Sequence, residues 1–272
     1  MIEIMGQMFT YNFIIRALIV GGLVALCASL LGVCLVLKRY AMIGDGLSHV
    51  GFGALAVATA MNWAPLEVTI PVVVAAAFLL LRVSDNSKIR GDSAIAMIST
   101  GALAIGIIIA SKSTGMNTDI YNYLFGSILA MSHSDVTLSI IISVVVLILF
   151  VVFYNRIFSV TFDESFAKAT GTNSGIYNML LAFLTAMTIV LGMRMMGALL
   201  ISSLIIFPAL TAMRLCKSFK SVMICSAIVS VVCVFMGILI SFIFSTPTGA
   251  SIVAVNIVFF LLFVVIKVIR NI

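Results

Sequence analysis

An acidic side chain and an imidazole lie four residues apart in AMIGDGLSHVG, residues 41–51. They are Asp45 and His49, and His49 is one of two histidines among 272 residues. On an α-helix, residues i and i+4 share one face, so the carboxylate and the imidazole would point the same way. Oxygen and nitrogen donors suit a divalent metal such as Zn²⁺ or Mn²⁺. Two ligands make an incomplete shell, which favours an ion in transit over a stored one.

The rest of the chain is strongly apolar, which limits the elements that can position this pair. Hydrophobic residues make up 63% of the chain, charged residues 9%, and the mean hydropathy is +1.32, whereas a soluble domain averages about 25% charged residues. Apolar runs long enough to cross a bilayer as helices recur throughout. We predict one all-α domain over residues 1–272, a polytopic transmembrane helical bundle with nine membrane segments: 12–37, 44–61, 66–82, 92–111, 135–154, 176–192, 195–213, 221–245 and 249–267.

The basic residues predict the orientation of this bundle. Twelve of the 15 lysines and arginines fall in one set of alternate loops, and the other three are Arg16, Lys112 and Arg194. By the positive-inside rule the twelve face the cytoplasm, which places the N-terminus outside and the C-terminus inside. Trp63, Tyr121 and Tyr123 then lie on the outer side. The long outer connection contains YLFGSILAM, residues 123–131, which is too short to span and suggests a re-entrant or interfacial element.

Several function classes lack their motifs. The sequence contains no GxxxxGK[ST] phosphate loop, no HExxH and no GxSxG, so we expect neither ATP binding by that loop nor a hydrolytic enzyme. The net charge of +6 is dispersed between apolar segments, which argues against a nucleic-acid partner and for contact with membrane lipid. A gradient-driven secondary transporter or channel stays open, although Asp45 is almost the only acid predicted within a segment.

The Asp45–His49 pair also has a simpler interpretation. Asp45 follows Gly44 and could be the N-cap of the second membrane helix, and His49 could be a packing histidine. Against this, an ionisable group inside a membrane segment costs about 2.5–3.5 kcal/mol, which makes it a functional candidate. Glycines that would let neighbouring helices approach flank the pair at positions 44, 46, 51 and 53.

A second candidate site is the inner loop 155–175, which contains FDESFAKATG. Asp163 and Glu164 would begin a short helix with negative charge at its N-terminus, and Gly171 would end it. Phe162 and Phe166, with Ala167 or Ala169, would form a small apolar face. A capped helix that projects from a membrane bundle and carries two phenylalanines favours docking to another protein over a solvated connector.

The segment 195–213 contains a weaker candidate for the ion pathway. Pro208 would break or kink the helix and free backbone carbonyls, and Ser202 and Ser203 lie one to two turns earlier. Together they could line a path, although such serines often bond back to their own helix.

Four motifs in chain order resemble the zinc/manganese/iron family of ABC transporter permeases. They are GDGLSHVGFGALA near the start of the second helix, FDESFAKATG at 162–171, GALLISSLIIFPALTA at 197–212 and PTGA at 247–250. Many members carry an acid shortly before PTGA, where this chain has Ser245 and Thr246. The resemblance implies a shell at Asp45 and His49 that waters or backbone carbonyls complete.

The resemblance also implies a function and partners. The chain would be the permease of an ATP-driven divalent metal importer in a bacterial plasma membrane, with no permanently bound cofactor. A separate ABC ATPase subunit would dock on residues 155–175, an extracytoplasmic metal-binding protein would deliver the ion, and two copies would form a homodimer. The residues VGFGALA after His49 lack a proline–glycine step that manganese-type members often show, which favours zinc, with manganese or iron as alternatives.

Overall fold

The computed structural model describes residues 12–86, 91–112, 124–126, 133–198 and 200–270. All the regular secondary structure in these ranges is helical, which confirms the all-α prediction. The helices are α1 (Asn12–Leu37), α2 (Ile43–Ala60), α3 (Pro65–Asn86), α4 (Gly91–Lys112), α5 (His133–Val152), α6 (Tyr154–Phe162), α7 (Glu164–Ala169), α8 (Ser174–Met196), α9 (Ile201–Leu215), α10 (Phe219–Phe244) and α11 (Thr248–Arg270).

Seven of these helices are long and apolar enough to cross a membrane, namely α1, α3, α4, α5, α8, α10 and α11. Two of the nine predicted segments, at α2 and α9, are helical but are not among the seven; α9 has only 15 residues. Nine spans and the orientation of the termini therefore stay predictions. Of the predicted re-entrant piece 123–131, only 124–126 are described, and Tyr121, Tyr123, Lys88 and Arg90 lie outside the described residues.

The turn between α1 and α2 is tightly closed by backbone hydrogen bonds. Arg39 adopts a left-handed conformation with φ of 62°. Its N–H donates to the carbonyl of Val36 at 3.1 Å, and the N–H of Tyr40 donates to Leu35 at 2.8 Å. This is the Schellman arrangement, which satisfies the last carbonyls of a helix and turns the chain sharply. The α1–α2 turn is therefore short and well defined.

The end of α2 has the same arrangement. Asn62 has φ of 55°, its N–H donates to the carbonyl of Thr59 at 3.1 Å, and the N–H of Trp63 donates to Ala58 at 2.9 Å. The indole of Trp63 is exposed just beyond this end. Both ends of α2 are thus bounded by sharp turns.

Helix α1 runs through the middle of the bundle and contacts α5, α8, α9 and α10. Its crossing with α9 is close because position 32 is a glycine: a Cβ there would overlap the carbonyl oxygen of Ile205. Position 22 on the same helix is also glycine, but a Cβ there would meet nothing within 4 Å. Of these two glycines of α1, only Gly32 lies at a close crossing.

Basic residues gather at one end of the bundle, which we call the basic end. Contacts between distant segments define it: Lys38 beside Glu164 at 3.5 Å, and the Phe158 ring 4.8 Å from that of Phe219. At the opposite end, Arg194 of α8 pairs with Asp135 of α5 at 2.6 Å. Among the described residues, the basic end carries Lys38, Arg39, Arg82, Arg156, Lys168, Arg214, Lys217, Lys220 and Lys267.

Candidate functional site

The pair in α2 is brought together as the i, i+4 spacing predicts. Nε2 of His49 lies 3.6 Å from Oδ1 of Asp45. The side chain of His49 is 10% exposed and that of Asp45 is 35% exposed. The imidazole of His49 is thus enclosed by the bundle, whereas the carboxylate of Asp45 is accessible to an approaching ion.

The structure does not support the simpler interpretation of this pair. The N-cap of α2 is Met42, which makes no side-chain capping bond, and Asp45 is the third residue of the helix. Nδ1 of His49 is buried and has no hydrogen-bond partner within the described residues. A buried polar atom without a partner is costly and calls for an explanation, such as an ion or water. Asp45 is therefore not the helix cap, and Nδ1 of His49 is not satisfied by any residue that the structure describes.

A third oxygen comes from α9. The hydroxyl of Ser202 donates to Oδ1 of Asp45 over a long 3.5 Å, so one of the three predicted pathway residues lies at the pair. The hydroxyl of Ser203 bonds back to the carbonyl of Leu200. Pro208 is buried in α9, six residues or about 9 Å further along the helix axis. The structure thus assembles Asp45, His49 and Ser202, and leaves Ser203 and Pro208 apart from them.

Small residues let the neighbouring helices close around the pair. A Cβ at position 46 would lie 2.8 Å from Cγ2 of Ile95 in α4, and one at position 53 would lie 2.8 Å from the carbonyl oxygen of Ala102. Helix α2 also contacts α3, α8 and α9. Within the described residues, no group of three or more histidine, cysteine, aspartate or glutamate side chains could hold a metal. The site is therefore a partial shell of one nitrogen and two kinds of oxygen.

The predicted docking segment is two helices rather than one helix in a loop, because α6 continues the chain from α5 before α7 begins. Asp163 is the N-cap of α7, and its Oδ1 accepts the N–H of Phe166 at 2.9 Å. Gly171 has φ of 80°, and the N–H of Thr172 donates back to Ala167 at 2.9 Å. A left-handed residue suits glycine, so Gly171 ends this short element.

Two of the three phenylalanines of this segment project outward, whereas the ring of Phe158 packs against that of Phe219. Phe162 is 74% exposed and Phe166 is 63% exposed, whereas Ala167 is buried. The predicted apolar face is therefore divided: the alanine packs inward, and the two rings project outward. Large exposed apolar side chains at the end of a bundle are typical of an interaction surface.

Glu164 contacts the bundle, although its side chain is 38% exposed. Its carboxylate accepts hydrogen bonds from Ser174 at 3.1 Å and Asn178 at 3.2 Å, and it pairs with Lys168 at 2.9 Å and Lys38 at 3.5 Å. Burial alone would raise the pKa of Glu164, but the hydrogen bonds from Lys168, Asn178 and Ser174 and the charge of Lys38 together lower it to about 2. The carboxylate is thus ionised at neutral pH.

Sequence reasoning missed Lys38 and Asn178, the partners of Glu164. Lys38 reads as a loop charge that sets orientation, and Asn178 as one polar residue of a membrane helix. The partners lie 126 and 14 residues from Glu164, so no local pattern connects all three.

Comparison with known proteins assigns the chain to a family. The family model described as the ABC 3 transport family matches residues 10–267. The chain belongs to the ABC 3 transport family. It is an integral protein of the plasma membrane and a permease subunit of an ABC metal importer.

The names of relatives of this ABC 3 permease refer to different metals. The manganese transport system membrane protein MntC of Listeria monocytogenes is 30% identical over 93% of this chain and 90% of its own length. The high-affinity zinc uptake system membrane protein ZnuB of Haemophilus influenzae is 28% identical over 93% of this chain and 97% of its own.

A solved structure has the same fold. PsaBC from Streptococcus pneumoniae, in complex with a Fab, matches this ABC 3 permease with a TM-score of 0.87 and 30% identity. The match covers 97% of this chain and 95% of the other. The helical arrangement described above is therefore shared with PsaBC.

Proposed function

We propose that this chain is the membrane-spanning subunit of an ATP-driven importer in which Asp45 and His49 bind the divalent metal during its passage. The observation that carries the proposal is the carboxylate–imidazole contact of 3.6 Å, with a buried ring nitrogen that lacks a partner among the described residues. A metal ion held between the two side chains would be bound by Nε2, the ring nitrogen that faces Asp45. The family membership supplies the transport context.

The proposed cargo is Zn²⁺, bound by the imidazole of His49 and the carboxylate of Asp45, a donor pair that zinc accepts readily. The absence of a proline–glycine step after His49 supports zinc. Mn²⁺ is the second candidate, because the Ser202 hydroxyl adds a second kind of oxygen donor, and oxygen donors suit manganese. Uptake measured with zinc, manganese and iron in competition distinguishes these cargoes.

The chain requires partners for energy and for capture. It has no phosphate loop of its own, so ATP hydrolysis falls to a separate ABC ATPase, which docks on the exposed rings of Phe162 and Phe166 beside the capped helix α7. A metal-binding protein delivers the ion at the opposite end, and two copies of this chain pair in the membrane. In this arrangement all nine predicted segments span the membrane, with the basic end in the cytoplasm.

A gradient-driven transporter is the rival function. Coupling to protons or sodium uses ionisable residues deep in several helices, whereas the acids of the described residues, Asp45 included, lie at helix ends or connections. Zinc flux through the chain alone in liposomes, without an ATPase, would support the rival.

The proposal is tested by substituting the two ligands. The assay uses proteoliposomes that contain the permease, its ATPase and the binding protein. We expect Asp45→Ala and His49→Ala each to reduce ATP-dependent zinc uptake at least tenfold, because the first removes the carboxylate ligand and the second removes the nitrogen ligand. Uptake of radioactive zinc is the measurement.

Ser48→Ala provides the matched control. Ser48 lies beside His49 in the same helix, but its hydroxyl bonds to the backbone carbonyl of Asp45 at 2.8 Å, so uptake should stay near the wild-type rate. Wild-type uptake in both ligand variants, with normal membrane insertion, would reject the ligand assignment.

A further inference from the structure

We infer that the contact of Glu164 with Lys38 and Asn178 transmits movement of α7 to the start of α2, and so to Asp45. This inference rests on the proposed function, because it connects the proposed ATPase-docking helix to the proposed metal ligands. It assigns positioning roles to Lys38 and Glu164, neither of which touches the metal.

The contact is a closed triangle of polar groups from three segments. The ammonium of Lys38, at the end of α1, donates to Oδ1 of Asn178 in the first turns of α8 and lies 3.5 Å from Oε2 of Glu164 in α7. Nδ2 of Asn178 donates to the same Oε2 at 3.2 Å. Each member contacts the other two, so α7 cannot shift without disturbing the end of α1.

Burial makes this triangle more than a surface ion pair. The side chain of Lys38 is only 7% exposed, and a buried ammonium is costly unless it is paired and hydrogen-bonded. Exposed pairs contribute about 0–1 kcal/mol and separate easily. Lys38 instead keeps its partners when α7 moves, because losing them would leave a buried charge without compensation.

The connection from Lys38 to Asp45 is short and is held by backbone hydrogen bonds. The Schellman bonds of Arg39 and Tyr40 close the turn directly after Lys38. The carbonyl of Tyr40 then accepts the N–H of Ile43 at 3.0 Å, and Ile43 is the first residue of α2. Asp45 follows within the first turn of that helix. Displacement of Lys38 therefore changes the position of Asp45 relative to Ser202 on α9.

A purely structural contact would have the same geometry, so the test must separate stability from coupling. The variants are Lys38→Met, Glu164→Gln and the double variant. Each single variant leaves a charged or polar partner uncompensated, whereas the double variant removes both charges. Zinc ions transported per ATP hydrolysed are measured in proteoliposomes with the ATPase and binding protein, together with ATPase co-purification and thermal stability in detergent.

We expect both single variants to retain the ATPase and to hydrolyse ATP within twofold of wild type, but to transport at least fivefold fewer ions per ATP. The double variant should regain thermal stability and still transport poorly. Ser218→Ala is the control: it removes another polar contact at the basic end, the 3.2 Å hydrogen bond that the N–H of Ser221 donates to the Ser218 hydroxyl at the start of α10, which involves neither the α1–α2 turn nor the docking segment, and should keep the wild-type ratio.

Two results would overturn the inference: a wild-type ion-to-ATP ratio in either single variant, or recovery of that ratio together with stability in the double variant. Failure of the proposed function has a different signature, since the unsubstituted complex would then transport no metal, or His49→Ala would transport normally. If a single variant fails to fold, the ratio in the double variant still decides.

Discussion

The two adjacent serines of α9 differ in what their hydroxyls contact. Ser202 donates to the carboxylate of Asp45, and Ser203 bonds to a carbonyl of its own helix. Sequence reasoning grouped them, because neighbouring residues of one type look alike when the facing helix is unknown. The structure separates them by the direction of each side chain around the helix.

This difference predicts unequal effects of two alanine substitutions. We expect Ser202→Ala to weaken the apparent affinity for the transported metal about fivefold, because a hydrogen bond to a charged group is lost and its 3.5 Å length places it at the low end of such bonds. Ser203→Ala should leave the affinity unchanged. Uptake rates against metal concentration measure both, and equal affinities in the two variants would contradict the prediction.

The proximity of Asp45 and His49 could be predicted from the sequence, because residues four apart lie on the same face of any α-helix. The partners of Glu164 are not, because helices distant in the chain supply them. The same contrast applies to Phe166: its spacing predicts an apolar face, but only the packing of Ala167 shows which side of α7 faces outward.

Among the elements, the long helices were predictable in position and their crossings were not. The predicted segment 12–37 coincides with α1, and 44–61 differs from α2 by one residue at each end, because charged or turn residues interrupt long apolar runs there. The short α6 was missed, since its apolar residues continue directly from α5. Close crossings such as Gly32 against Ile205 depend on two segments at once.

The α1–α9 crossing predicts a position-specific effect of an added methyl group. We expect Gly32→Ala to lower the free energy of unfolding by about 1–3 kcal/mol, because the new Cβ would overlap the backbone oxygen of Ile205 and force the helices apart. Gly22→Ala on the same helix meets open space and serves as the control. Thermal denaturation in detergent compares them; an equal loss in both variants would mean that the crossing is not the cause.

For the molecule as a whole, one end combines the basic residues, the exposed rings of Phe162 and Phe166, helix α7 and the start of α2. The composition and loop charges predicted which end this would be, since they depend only on the order of segments. The contacts that join α7 to the start of α2 at this end could not be predicted from the sequence.

Assembly with the ATPase should depend on the exposed rings of this end. We expect Phe166→Asp to reduce co-purification of the ATPase at least fivefold, because a carboxylate would replace a ring that is 63% exposed and proposed to contact the ATPase. Ser165→Asp adds the same charge to the same short helix without removing a ring, and should retain the ATPase. Normal co-purification of Phe166→Asp would remove α7 from the interface.

Trp63 is the only tryptophan of the chain, and it lies directly beyond the end of the helix that begins near Asp45. Ultraviolet excitation at long wavelength therefore reports from a single indole, without competing emitters elsewhere in the isolated permease. Its emission maximum and quenching by water-soluble or lipid-borne agents follow the far end of α2 in unlabelled protein. The permease thus contains its own fluorescent probe for rearrangements of α2.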